Sequence, residues 1–167
     1  MAQKMNGESE EKKPDYVVDL EAAYGPPSEE GFGSAVFLET VSKDGDLEGL
    51  ARKYYEHFVG DKWQEWGEET WMAPWKEVYA RKAGTKHNVV KELKGIDDDS
   101  AAISIPMFLE GNENADAAVE ALAAAYDDPA VTDFRVYTIG DGEAMSGVLL
   151  AGERENGEAT FLVFLMD

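Results

Sequence analysis

VTDFRVYTIGDGEAMSGVLLAGERENGEATFLVFLM, residues 131–166, is the stretch that decides the fold. Val131 to Ile139 reads as a strand of β-branched and aromatic residues. Met145 to Glu153 and Glu158 to Met166 read as two more, joined at Asn156-Gly157, the strongest short-range hairpin signal. Upstream, Asn114 is placed to cap a helix from about Ala115 to Tyr126, with Val119, Leu122 and Tyr126 on its inner face. Ala101 to Leu109 alternates Ile103, Ile105, Met107 and Leu109, which predicts a strand. Pro106 pushes that strand towards a sheet edge or a bulge. The C-terminal unit is therefore expected to run β-α-β-β-β.

Residues 34–95 read as mainly helical. Ser34 to Val41 is expected to be a strand, followed by a helix capped by Asp44 or Asp46 and closed by Gly60, with Leu47, Leu50, Ala51, Tyr54 and Phe58 in one apolar stripe. Pro74 suits the first turn of a further helix burying Trp75, Val78 and Tyr79. Gly84 and Gly95 bracket a short one with Val89, Val90 and Leu93 inward. Tyr16 to Leu20 predicts a short strand, and residues 1–14 a disordered tail. The expected class is α+β: a mainly antiparallel sheet covered by helices on one side, in one domain over 15–167.

Charge is distributed unevenly along the chain. The formal total is −20; residues 1–33 carry −5, residues 34–95 carry −1 and residues 96–167 carry −14. From Ile96 onward there are sixteen acids, two arginines and no lysine. Such a surface disfavours direct contact with phosphate backbones or anionic membranes and favours a basic protein partner or a divalent cation. No apolar run reaches the roughly 20 residues of a membrane span, and the N-terminus lacks the apolar core of a signal peptide, so a cytoplasmic protein is expected. With no cysteine, thiolate catalysis and Cys-based zinc sites are excluded.

Catalytic and cofactor motifs are missing from the sequence. The two histidines, His57 and His87, belong to no H-E-x-x-H or nucleophile–base pattern; no glycine-rich phosphate loop precedes a helix; and Gly142 to Gly147 is not G-x-S-x-G. The expected function is accordingly non-catalytic and cofactor-free: an acidic binding protein of inhibitor or immunity type, or a nucleic-acid mimic, that recognises a basic partner. The alternative is calcium binding by grouped acids. Its candidate ligands are Asp44, Asp46 and Glu48, which resemble the start of an EF-hand loop but lack its glutamate at position 12, together with Asp97, Asp98, Asp99, Asp127 and Asp128.

For the partner, two surfaces stand out. The run WQEWGEETWMAPW holds all four tryptophans, and Trp63, Trp66 and Trp71 with Glu68 and Glu69 form a candidate grip for Arg or Lys. At least one of these rings is expected to be partly exposed. The second surface is the helix carrying Asp116 and Glu120 on one face with no base at i+4. Asp127 and Asp128 follow it at the negative end of the helix dipole, where acids are unfavourable.

Overall fold

The Asn156-Gly157 turn joins two long strands, β4 (Ser146–Arg154) and β5 (Glu158–Met166). Gly157 has φ +92°, a left-handed conformation that glycine adopts without strain, and Asn156 Oδ1 accepts the Glu158 amide. In this computed structural model residues 13–29, 32–41, 45–111 and 114–166 are described. The remaining elements, in chain order, are α1 (Asp15–Tyr24), β1 (Gly33–Thr40), α2 (Leu47–Val59), α3 (Lys62–Trp66), α4 (Glu68–Met72), β2 (Lys76–Ala80), α5 (Val89–Lys94), α6 (Asp99–Glu110), α7 (Ala115–Tyr126) and β3 (Val131–Gly140).

The five strands form one antiparallel sheet in the order β1-β5-β4-β3-β2. The C-terminal meander is its centre, and β1 and β2 close its edges. The α+β class and the closing hairpin are as the sequence indicates. The layering differs, because helices flank both faces rather than one. Val148, Leu149, Leu150 and Ala151 are all buried, as are Phe161, Leu162 and Val163. Unbroken apolar runs of this kind need cover above and below. Val36, Phe134, Val136, Val148, Leu150 and Leu162 pack under α1, α5, α6 and α7. Phe37, Tyr137, Ile139, Leu149, Phe161 and Val163 pack under α2, α3 and α4. A register shift between Val131 and Asp133 keeps Val131 on the same face as Phe134 despite their odd spacing.

Three predicted elements change type. Tyr16 to Leu20 belongs to helix α1, whose buried Tyr16, Val17, Leu20 and Tyr24 fall at helical spacing; a five-residue apolar run cannot by itself distinguish the two. The segment after Pro74 is strand β2, not a helix: Lys76, Glu77, Tyr79 and Ala80 pair with β3, and the β-branched Val78 sits at a bulge between Glu77 and Tyr79. Ala101 to Leu109 is helix α6, not a strand. Asp98 caps it by accepting the Ala101 amide at 2.9 Å, and Ala101, Ser104, Ile105, Phe108 and Leu109 bury one helical stripe. Pro106 lies inside it and leaves the Ala102 carbonyl without its usual i+4 donor. The alternation of Ile103 with Ile105 and Met107 with Leu109 is therefore coincidental, since the first of each pair faces solvent. The predicted tail falls largely on residues 1–12, outside the described residues. No helix of the described residues is long and apolar enough to cross a membrane.

Candidate functional site

The tryptophans divide between core and surface. Trp63 and Trp71 are buried, Trp75 is half-buried, and Trp66 is 42% exposed. Trp66 stacks flat on Trp71 with centroids 5.2 Å apart, and Tyr55 meets Trp63 and Trp71 edge-on. Tyr55 donates its hydroxyl to the Trp71 carbonyl at 2.7 Å and receives the Gly140 amide at 3.0 Å, tying this plug to the end of β3. Burial raises the Tyr55 pKa. The cations of this region are already engaged: Lys62 lies over the Trp66 ring at 5.7 Å, and Arg52 pairs with Glu68 at 2.9 Å. Glu69 is exposed nearby. Since Trp66 covers only one side of Trp71, Trp66→Ala is expected to cost about 1 kcal/mol in urea unfolding, the range of an aromatic pair beyond its burial.

Asp116 and Glu120 are exposed on α7, on the other face of the sheet. The structure thus separates the two predicted partner surfaces by the thickness of the fold. Three of the four helices on that face are anionic, while α5 beside them carries Lys91 and Lys94. α1 carries Asp15, Asp19 and Glu21, α6 carries Asp99 and Glu110, α7 carries Asp116 and Glu120, and none of the three contains a Lys, Arg or His. Glu21 pairs with Lys13 at 2.9 Å. Among the described residues the other six have no cation within 4.0 Å. Asp15, Asp99 and Asp116 stand in first turns, where the helix dipole favours an acid. Asp19, Glu110 and Glu120 have no such local compensation, and Glu110 closes α6 at the unfavourable end.

Asp19 and Glu120 line an open groove of ≈900 Å³ between α1 and α7. Ala22, Ala117, Ala121 and Ala124 form much of its lining, and Asn114 stands at the start of α7. Methyl groups beside carboxylates suit a lysine or arginine: its aliphatic stem lies on alanine and its charged head meets the acids. Sequence reading missed this groove, because α1 was taken for a strand and Asp19 therefore had no place on a helix face.

Of the acids proposed for calcium, Glu48, Asp98, Asp127 and Asp128 have partners within the protein. Asp98 caps α6 and pairs with Lys76 at 2.5 Å; burial opposes its ionised form, but the Lys76 and Ala101 contacts outweigh that and lower its pKa. Asp97 and Asp99 are exposed. Asp127 accepts the Val89 amide at 2.6 Å and so holds the start of α5, and Asp128 accepts the Ala130 amide at 2.8 Å and faces Arg154 at 3.5 Å. Asp46 is the N-cap residue of α2 without a side-chain bond, Glu48 accepts the Trp75 indole N–H at 2.9 Å, and Asp44 lies outside the described residues. Among the described residues no group of three or more His, Asp or Glu side chains is placed to share a metal ion.

The dipole conflict at the end of α7 is resolved by arginines from afar. Arg154 donates to the carbonyls of Ala124 and Ala125 at 3.0 Å each and lies over the Tyr16 ring at 3.7 Å. Arg81 donates to the Tyr126 carbonyl at 2.8 Å. His87 Nδ1 lies 3.1 Å from the Asp128 carbonyl. Asp127 and Asp128 are thus parts of a structural junction between α7, α5 and β2. No protein-family model, curated protein or solved structure matches this chain.

Proposed function

We propose that this protein binds a basic protein partner, and that the anionic layer of α1, α6 and α7 is the surface that meets it. The observation carrying the reading is the absence of any basic residue from these three helices, together with the groove that sets Asp19 and Glu120 beside a row of alanines. The opposite layer supports it by contrast. There Arg52, Lys53 and Lys62 balance much of the acid, and two of them already occupy Glu68 and Trp66. An anionic face of this kind accelerates encounter with a cationic protein and selects against acidic ones.

The test is a titration of the full chain with a lysine- and alanine-containing helical peptide, read by fluorescence anisotropy at increasing salt. Binding is expected at low salt and is expected to fade as the Debye length shortens from about 30 Å at 0.01 M to about 8 Å at 0.15 M. Asp19→Asn with Glu120→Gln is expected to weaken binding about fivefold, the sum of two exposed ion pairs. Binding that ignores salt, or no binding at low salt, contradicts the reading.

A further inference from the structure

Helix α6 stands as a ridge between two apolar clefts. On one side Met107 and Phe108, with Tyr24, Phe32, Phe164 and Met166, line an opening of ≈300 Å³. On the other, Ile105, Pro106 and Leu109, with Leu93 of α5 and Ile96 just after it, line one of ≈280 Å³, which Lys94 and Glu110 also border. The ridge itself carries Ile103, 70% exposed, and Met107, 46% exposed, one turn apart. Phe32 is exposed across the first cleft. These are three of the five large apolar side chains that the described residues expose, so the exposure is clustered rather than scattered. Clustered apolar surface rimmed by polar groups marks interaction sites.

Three further features fit an interface. Asp99, Ile103, Met107 and Glu110 succeed one another at i, i+4, i+8 and i+11, placing an apolar centre between two carboxylates on one helix face. Pro106 leaves the Ala102 carbonyl of that face short of a donor. Among the described residues the buried Tyr24 hydroxyl has no hydrogen-bond partner, although Tyr24 lines the first cleft; a buried phenol left unsatisfied is uncommon.

Charge decides between two occupants. A second copy meeting α6 across a twofold axis would set Asp99 and Glu110 against the same residues on another chain of charge −20. A cationic surface meets them favourably. We infer that the α6 ridge is the anchor of the interface proposed above: a basic protein inserts one apolar side chain into each cleft while its lysines or arginines meet Asp99, Glu110 and the groove acids. This rests on the reading of the anionic layer as a docking surface. It adds that affinity is concentrated in a dry apolar centre, with the charged rim setting attraction and orientation.

Two synthetic helical peptides of equal length and charge separate the claims. One places leucines along one face of a lysine-bearing helix, and the other has alanines at the leucine positions. Each is titrated against the full chain by anisotropy, with the methyl resonances of Ile103 and Met107 followed by NMR. The leucine peptide is expected to bind at least about tenfold more tightly and to shift both methyls. Ile103→Ser with Met107→Ser, both at exposed positions and checked for an unchanged circular dichroism spectrum, is expected to abolish that gain and to leave the alanine peptide unaffected. Equal affinities, or a gain that survives the double substitution, overturn the ridge and leave the charge reading standing. Absence of binding by either peptide at low salt overturns both.

Discussion

Replacing Arg81 with Met is expected to destabilise the protein by about 3–5 kcal/mol, because it strands a carboxylate in the interior. The Arg81 side chain is 5% exposed and that of Glu92 7%. Their contact is two-pronged, Nε to Oε2 at 2.8 Å and Nη2 to Oε1 at 2.7 Å, and Tyr79 donates a third bond to Glu92 at 2.5 Å. The same guanidinium lies 4.8 Å from the Phe134 ring centre and bonds the Tyr126 carbonyl, so one side chain fastens the edge of the sheet to α5 and α7. Thermal melts should show a drop of about 6–20 °C, from about 2–4 °C per kcal/mol for a chain of this size. Arg81→Met with Glu92→Leu should recover part of it, because apolar replacement of both partners removes the orphaned charge. A drop below about 2 °C in the single variant contradicts this account of the junction.

The same pair gives the protein an acid-sensitive component. Burial tends to raise the Glu92 pKa, but the hydrogen bonds from Arg81 and Tyr79 outweigh it and hold the carboxyl below its ordinary 4.5. A carboxyl depressed by folding contributes stability that is fully present above its unfolded value and is lost as pH falls through the folded one. Acid unfolding should therefore steepen below pH 4.5 in the native chain and less so in the double variant.

Trp71→Ala is expected to cost about 3–5 kcal/mol, the range for deleting a fully buried large aromatic residue. Its ring stacks on the flat face of Trp66 and makes a T-shaped contact with Tyr55, and its indole N–H bonds the Lys62 carbonyl at 3.0 Å. Removal opens a cavity beneath Trp66 and loosens the turn between α3 and α4. Urea unfolding should show a lowered midpoint with little change in slope, the mark of altered stability rather than altered compactness. The contrast with the small effect expected for Trp66 separates the buried plug from its exposed cover.

The central sheet was legible because its signals are local: the Asn156-Gly157 turn and the apolar runs beside it need no distant partner. α2 and α7 were legible for the same reason, through their apolar spacing. The two-sided cover was also written in the chain, in Val148 to Ala151 and Phe161 to Val163, where consecutive apolar residues leave no polar face. α6 was not, because Ile103 and Met107 imitate strand alternation and Pro106 argues against a helix. Its actual markers were Asp98 as cap and Phe108 at helical spacing from Ile105 and Ala101. The acids of the candidate site divide along the same line. Asp127, Asp128 and Asp98 looked uncompensated because their partners, Val89, Arg154 and Lys76 respectively, arrive from 38, 26 and 22 positions away. Among the described residues Asp19 and Glu120 remained uncompensated after folding, and only the meeting of α1 with α7 places them together.

The most direct measurement of the central claim compares two triple variants that change the net charge equally. One neutralises Asp19, Glu110 and Glu120 on the anionic layer; the other neutralises Glu56, Glu65 and Glu69 on the opposite one. Titrated with the lysine- and alanine-containing peptide at low salt, the first is expected to lose about tenfold in affinity and the second less than about twofold, since only close and otherwise unpaired charges contribute strongly. Equal losses in the two variants would mean that the peptide responds to net charge alone, which contradicts a docking surface on α1, α6 and α7.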